Sequence, residues 1–392
     1  MTKLDDILDV DLLKHHINNR LVGVQTHPSL PLLIYNYSAK AQFAGQWGDG
    51  TIDLCRGLIV DRDNNIVARP FKKFHNIDTP SIPETTAENI AVHFHGHAPV
   101  VTEKMDGSLG ILYRYNDNWG IATRGSFTSQ QAQWATRWYA DKIAKNELAL
   151  FNTTEFTPLF EIVYPDNRIV VKYDFEGLIL LGMVNNHVGY EQDMEVVQYI
   201  GQQRGFTGNH IVKCYGKQTK TGILDKRLPD DEKNREGYVL TFDKGENEPP
   251  LKVKIKFNDY CRLHKVVTGV SPKGVWELLS LGQDVTFVDD MPEHFIKWAT
   301  QWIEELRYQY NWIDARAEII FSNRPTYNRE NPTHEERRDV ASYFIDATKN
   351  EPELRGILFM MLDEVPEEQI SAAIWKLVKP RGDDKSFRQD GE

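Results

Sequence analysis

Across residues 99–257 the apolar positions come in short runs separated by turn residues: PVVTEKM, LGILYRY, NWGIATRG, LFEIVYP, RIVVKY, GLILLGMVN, EGYVLTF and LKVKIKF. Each run has the length and the β-branched or aromatic content of a strand. Asn116-Asp117-Asn118 supplies a turn between the second and the third. LKVKIKF alternates strictly, so a period of two sets Lys252, Lys254 and Lys256 on one face and Leu251, Val253, Ile255 and Phe257 on the other. Residues 126–150 contain neither Gly nor Pro and predict a helix set among the strands. The fold class expected is α+β and antiparallel-rich.

Beyond about residue 270 the period changes. Pro292 suits a first helical position, and after it Phe295, Ala299, Ile303, Leu306 and Tyr310 recur at three- and four-residue intervals. Helical runs also follow Asn331-Pro332-Thr333, cover residues 353–362 and follow Pro366. The domains expected are therefore 1–268, mixed α and β; 269–380, all-helical; and 381–392, a nearly apolar-free mobile tail. Trp298, Trp302, Tyr308, Tyr310 and Trp312 sit at helical spacing and are expected in the core of the second domain, in preference to a stacking platform for bases.

Length and composition narrow the class. With 392 residues, 41% hydrophobic and 26% charged, the chain has enough for a real core and is no miniature scaffold. No stretch approaches the roughly 20 uncharged apolar residues of a membrane helix. The first residues, MTKLDDILDVDLLKHH, place acids among apolar positions, which reads as an amphipathic helix and lacks a signal peptide's apolar core. Cys55, Cys214 and Cys261 are too few and too scattered for a disulfide framework or a zinc cluster. A cytoplasmic location is the expectation. The net charge of −11 argues against a polyanionic partner until its distribution is considered. Residues 289–392 hold 14 basic and 22 acidic side chains, a net of −8, which leaves only −3 before them. Residues 251–265 hold Lys252, Lys254, Lys256, Arg262 and Lys265 against Asp259 alone, a local field suited to phosphate.

The sharpest chemical feature is Thr102-Glu103-Lys104-Met105-Asp106-Gly107-Ser108, a lysine ending a β-run before an acid and a turn glycine. Alone, Lys-x-Asp-Gly is common and reads as a solvated lysine before a turn. It is accompanied, in chain order, by Arg56-Gly57, Lys73-Phe74-His75-Asn76, Arg124-Gly125-Ser126, Phe160-Glu161-Ile162, Glu236-Gly237-Tyr238-Val239 and Lys254-Ile255-Lys256. This ordered set, over about residues 50–265, resembles the covalent nucleotidyltransferase superfamily of ligases and capping enzymes. Within it the set is most similar to the ATP-dependent RNA ligase 1 family of T-even bacteriophages.

The resemblance implies an N-terminal adenylylation domain and a C-terminal helical domain that helps select RNA. It implies Lys104 as the adenylylated nucleophile, with ATP or AMP bound by Arg56, Lys73, Glu103, Arg124, Glu161, Glu236, Lys254, Lys256 and Tyr260. Glu161 would meet the ribose, Lys254 and Lys256 the phosphates, and Tyr260 would line the adenylate pocket. Mg²⁺ or Mn²⁺ would be held near Asp106 and Glu236. The implied partners are RNA ends carrying a 5′-phosphate and a 3′-hydroxyl, such as cleaved tRNA, together with an end-healing kinase/phosphatase; no membrane is implied. Two departures stand out: the family usually has an aromatic residue where this chain has His75, and often a lysine at Arg124. Alternatives within the superfamily are a DNA ligase or a GTP-using capping enzyme, and outside it a catalytically silent RNA-binding module.

Elementary chemistry fits these roles. A free lysine is neutral in only about one molecule in a thousand at neutral pH, so a nucleophilic lysine needs its pKa lowered. Crowding by Lys254, Lys256 and a bound metal ion, with partial burial, is expected to do so at Lys104. Gly107 suits a tight turn with close approach of the backbone to a nucleotide. His93, His95 and His97 would share one face if extended, but with no carboxylate or cysteine beside them a solvated or packed strand is the expectation. Arg324, Arg329, Arg337 and Arg338 gather near a loop of the acidic domain, where a solvated face is as good a reading as a phosphate contact.

Overall fold

The computed structural model describes residues 2–94, 98–217, 232–245, 248–269, 271–282, 293–328 and 331–380, side chains excepted at 43, 262, 265–269 and 293–295. Thirteen strands are present among them: β1 (Val22–Thr26), β2 (Leu32–Tyr37), β3 (Arg56–Asp61), β4 (Ile66–Ala68), β5 (His75–Asn76), β6 (Val100–Lys104), β7 (Ser108–Tyr115), β8 (Asn118–Ala122), β9 (Phe156–Val163), β10 (Gly177–Asn185), β11 (Cys214–Lys217), β12 (Gly237–Phe242) and β13 (Leu251–Lys256). The helices are α1 (Val10–Asn18), α2 (Ala39–Ala44), α3 (Ala87–His93), α4 (Gln130–Ala144), α5 (Met194–Gln203), α6 (Asn258–Gly269), α7 (Pro272–Ser280), α8 (Glu293–Ser322), α9 (His334–Ala347), α10 (Leu354–Leu362) and α11 (Glu367–Leu377). The chain divides into two compact units, Met1–His264 and Lys265–Gly391. Among the described residues no helix is long and apolar enough to cross a membrane.

The first unit holds three sheets, in the orders β1-β2-β3-β4, β10-β9-β7-β8 and β11-β6-β12-β13-β5. Every pairing is antiparallel except β13 with β5. The second sheet is apolar on both faces. One face packs Phe160, Ile162 and Leu180 against Ala135 and Tyr139 of α4 and Val197 of α5; the other packs Ile111, Tyr113 and Leu159 against Leu32, Ile34 and Ile59 of the first sheet. The chain passes from the third sheet to the second in three residues, Met105, Asp106 and Gly107, between β6 and β7. A Cβ on Gly107 would stand 2.5 Å from the Ile162 carbonyl oxygen. The close approach that this glycine permits is thus to β9 itself.

The helix expected over 126–150 is α4. Ser129 caps it by accepting from the Ala132 amide, and the chain turns away at Asn146, in the left-handed region at φ 57°. RIVVKY, expected as a strand, pairs with no strand among the described residues: residues 168–173 form a loop whose Val170 and Val171 amides donate to the Asp106 carboxylate. Its apolar side chains are buried with Phe257 and Tyr260, so the run is hydrophobic for packing and finds its hydrogen bonds outside any ladder. His93 ends α3 instead of extending a strand, and His95 and His97 lie outside the described residues.

In the second unit α9 starts from a reciprocal capping box between Thr333 and Glu336. The buried stripe of α8 is Ala299, Ile303, Leu306, Ile313, Ala317 and Ile320. The expectation that its aromatic residues form core fails at Tyr308 and Trp312, which are 68% and 45% exposed. Tyr308 stands two residues, about 200° around the helix, from buried Leu306. Tyr310 is half-buried, tilted against Trp375 and donating to the Ser371 hydroxyl at 2.9 Å. Arg329 lies outside the described residues, and Arg324 packs over the Phe321 ring.

Candidate active site

Strand register assembles the site. Lys104 is the last residue of β6 and sits opposite Gly237 of β12, which sits opposite Lys256 of β13; Thr102, Val239 and Lys254 make the next rung. Lys104, Lys254 and Lys256 therefore project from one face of the third sheet. Glu236 precedes β12, is 3% exposed, and accepts from both ammoniums: Lys104 Nζ at 2.8 Å and Lys256 Nζ at 2.9 Å. From the second sheet β9 contributes Glu161, and from the first β3 begins with Arg56.

The electrostatics of Lys104 run against the sequence expectation. Burial alone would lower its pKa, but Glu236 and Glu161 outweigh that and hold it above lysine's ordinary value. The neighbouring acids dominate where neighbouring cations were expected to. The lysine driven well below its ordinary value is Lys254, by burial and then by the charges of Lys104, Lys256, Lys73 and Arg56. Glu236 is held below the ordinary carboxyl value, since Lys104 and Lys256 more than offset its burial. Glu161, with too little opposing charge, is pushed up to about 8 by burial, incompletely relieved by Lys104.

Asp106, expected beside a metal ion, is held by protein groups on both oxygens. Its Oδ2 accepts the Val170 and Val171 amides, each at 2.8 Å, and its Oδ1 accepts the Tyr260 hydroxyl at 2.8 Å; its own amide donates to the Tyr173 hydroxyl oxygen. Tyr260 is thereby fixed, buried, with Lys256 4.8 Å from its ring centre. Glu103, expected at the nucleotide, turns its side chain elsewhere. As the neighbour of Lys104 on a strand it points to the opposite face, where Arg235 grips it with bonds of 2.7 and 2.5 Å and the Tyr215 hydroxyl donates to it. Its side chain is not among the groups facing the lysines.

A second cluster gathers three of the expected basic residues around a residue that sequence reasoning missed. The Tyr37 hydroxyl accepts from Arg124 Nη1 at 2.9 Å and Lys73 Nζ at 3.1 Å. Burial would raise its pKa, but Arg124, Arg56 and Lys73 bring it below the ordinary tyrosine value. Lys73 also lies 4.8 Å from the Tyr37 and the Trp47 ring centres, and Arg56 lies 5.5 Å from that of Phe74. Arg56 Nη1 is buried with no hydrogen-bond partner among the described residues, a donor suited to an anion. Trp47 stands edge-on to His75, whose pKa burial, Lys73 and Lys254 bring down to about 4, so this imidazole is neutral at neutral pH. Tyr37 lies in no charged or glycine-marked motif, whereas Trp47 sits in the glycine-marked Gly45-Gln46-Trp47-Gly48-Asp49-Gly50, a signal that the sequence reading passed over.

A divalent cation would meet Glu161, and Glu236 only in exchange for Lys104 or Lys256, which occupy both its oxygens. Among the described residues no group of three His, Cys, Asp or Glu is arranged to hold an ion by itself. Two oxygen ligands beside a phosphate-binding row still suit Mg²⁺ or Mn²⁺ shared with a nucleotide, since such ions take one or two carboxylates, phosphate oxygens and water. The strongly raised Glu161 carboxyl fits the same reading, as a buried acid short of positive charge.

A sequence model of one family, described as RNA ligase, matches residues 54–260. A candidate RNA ligase of Thermovibrio ammonificans is 30% identical over 222 residues, 54% of this chain and 53% of that one. The RNA ligase of Rhodothermus phage RM378 is 24% identical over 281 residues, covering 57% and 63%. A protein of Autographa californica nuclear polyhedrosis virus, named as a candidate bifunctional polynucleotide kinase/RNA ligase, is 26% identical over 265 residues, covering 62% and 35%. The chain thus spans less than two thirds of each of these relatives.

Proposed function

Since this chain belongs to the RNA ligase family, we propose that it is an ATP-dependent ligase that joins the 5′-phosphate and 3′-hydroxyl ends of RNA through a lysyl-adenylate on Lys104. The observation that carries the reading is the arrangement around that amine: Lys104 at a strand end, gripped by Glu236, with Lys256 on the same carboxylate and a cationic pocket of Lys254, Lys73, Arg56 and Arg124 beyond it. A row of cations beside a lysine at a strand end suits a polyphosphate whose α-phosphorus that amine attacks.

In the first step the Lys104 Nζ lone pair forms a bond to the α-phosphorus of ATP and pyrophosphate leaves with the bonding electrons. Lys254 and Lys256 neutralise charge at the α-phosphate, Arg56, Lys73 and Arg124 hold the outer phosphates, Glu161 meets the ribose and Tyr260 walls the adenylate. Attack needs the neutral amine, so the Lys104 ammonium first gives a proton to water, a loss that becomes easier once the Glu236 carboxylate, whose charge holds the Lys104 pKa up, is taken over by a cation. A divalent cation at Glu236 and Glu161, when bound, supplies positive charge to the phosphates. In the second step AMP passes from Lys104 to the 5′-phosphate of RNA. In the third, a 3′-hydroxyl attacks that activated phosphate and AMP leaves. Splitting one hard displacement into easier ones is the advantage of the covalent intermediate.

The helical residues 269–380 select among RNA ends, a cleaved tRNA-like hairpin being the expected class; residues 381–392, expected as a mobile tail, lie outside the described residues. The ends are supplied by a kinase and phosphatase activity; one relative carries the name of a kinase joined to a ligase. The place of action is the cytoplasm. The test is sealing of 5′-phosphorylated RNA and DNA strands, nicked, single-stranded and hairpin, with ATP or GTP. Joining of RNA with ATP is expected. Joining confined to DNA, or covalent labelling by GTP alone, overturns the reading.

A further inference from the structure

Lys104 and Glu236 both stand where a ladder ends. Lys104 occupies the last rung of β6, opposite Gly237, and Glu236 lies just outside β12; the Glu236 carbonyl accepts the Phe257 amide at 3.0 Å, which ties it to the end of β13 but not to β6. What brackets them lies on the reverse face. Glu103, one residue before Lys104, is 13% exposed and takes both arms of Arg235, one residue before Glu236, at 2.7 and 2.5 Å. Arg235 also donates to the Tyr215 hydroxyl at 2.6 Å and lies over three rings, 5.9 Å from Tyr215, 5.2 Å from Tyr238 and 5.5 Å from Phe257. Glu232 is a further partner of its guanidinium. Gly237, the next residue, lies at φ +152° with its Cα so close to β13 that a Cβ would fall 1.9 Å from the Ile255 carbonyl oxygen. The segment 235–237 is thus held on the back by a fork and on its flank by a close backbone approach, with Glu236 between them reaching to the front.

We infer that Glu103 and Arg235 are positioning residues for adenylylation: their two-armed ion pair behind the sheet sets the spacing of Lys104 and Glu236 in front of it. The inference rests on the reading of Lys104 as the nucleophile. A planar guanidinium matched to a carboxylate fixes direction as well as distance, which a single lysine cannot do. Because each partner is the chain neighbour of one member of the front pair, slack in the fork becomes misplacement of the reacting amine, and about 1 Å of misplacement costs roughly 100-fold in rate. Neither side chain faces the row of lysines, so nucleotide affinity is not what they control.

The test is single-turnover formation of the lysyl-adenylate from ATP labelled at the α-phosphate, with thermal unfolding followed in parallel. It uses full-length wild type, Glu103→Gln, Arg235→Gln, the double variant and Arg235→Lys. The two glutamine variants are expected to lose about 10- to 100-fold in maximal rate with the half-saturating ATP concentration within about threefold of wild type. The double variant should be no slower than the worse single one, because the pair acts as a unit. Arg235→Lys, which keeps the charge and loses the fork, should remain at least fivefold below wild type. Folded single variants at wild-type rate overturn the proposal, as do losses that multiply in the double variant or that appear as weakened ATP affinity. If a glutamine variant does not fold, Arg235→Lys at wild-type rate still overturns it. A wild-type protein that takes no label at Lys104 overturns the nucleophile assignment itself, a failure distinct from these.

Discussion

Glu161 shows how a single buried acid can report on the site. Its carboxyl is ordinarily half-ionised near 4.5 and in the folded chain near 8. A raised acid stabilises the fold below its ordinary pKa, and that contribution is lost as pH climbs from about 4.5 through about 8. Glu161→Gln lacks this loss. The variant is therefore expected to gain stability relative to the wild type between pH 5 and 8.5, by about 1–3 kcal/mol, and to level off above that. Thermal melts across the range check this, and a constant difference between the two proteins would refute it. At the same scale Lys104 was legible from its Lys-x-Asp-Gly setting, whereas its protonation was not. The resemblance already put Glu236, 132 residues away, near the amine, but counting cations along the chain gave its charge no weight, and at 2.8 Å that charge prevails. Tyr37 was illegible for a like reason: its distinction is three cations that arrive from separate strands and loops.

At the scale of elements, the strict alternation of β13 did place Lys254 and Lys256 on one face and Val253 in the core, because period and burial coincide there. The same rule, applied to β6, assigns Glu103 to the face away from Lys104; a motif read as a block of consecutive residues hides this. Residues 168–173 carry strand-like composition, yet the Asp106 carboxylate takes the amides of Val170 and Val171, and composition does not reveal a side-chain acceptor 64 residues upstream. Asp106→Asn replaces an acceptor of two amides by a group that must turn its NH₂ toward one of its three partners. It is expected to cost about 1–3 kcal/mol of stability and to loosen Tyr260. Amide hydrogen exchange at Val170 and Val171 should accelerate at least tenfold in this variant. Unchanged protection there would mean that the loop is held by packing alone.

At the scale of the whole molecule, the change of period near residue 270 announced a helical second unit, and α9, α10 and α11 lie where caps and prolines indicated. Which side of α8 is buried was less legible: aromatic residues occur on both sides of that helix, so hydrophobicity alone did not separate the stripe through Leu306 from exposed Tyr308 and Trp312. If the helical unit serves selection and the first unit serves chemistry, residues 1–269, which keep α6 whole, should form the lysyl-adenylate within about tenfold of the full-length rate. The same fragment should lose preference between tRNA-like and unstructured RNA ends. Identical preferences in fragment and full-length protein, measured by competitive sealing, would remove any targeting role from the helices.

The central claim is that one amine, held by Glu236 until nucleotide arrives, captures an adenylyl group. Peptide mapping by mass spectrometry after incubation with ATP and Mg²⁺ tests it most directly. The account predicts a single adenylate on Lys104, absent from Lys104→Ala. An adenylate on another lysine, Lys254 above all, or none at any position would contradict it.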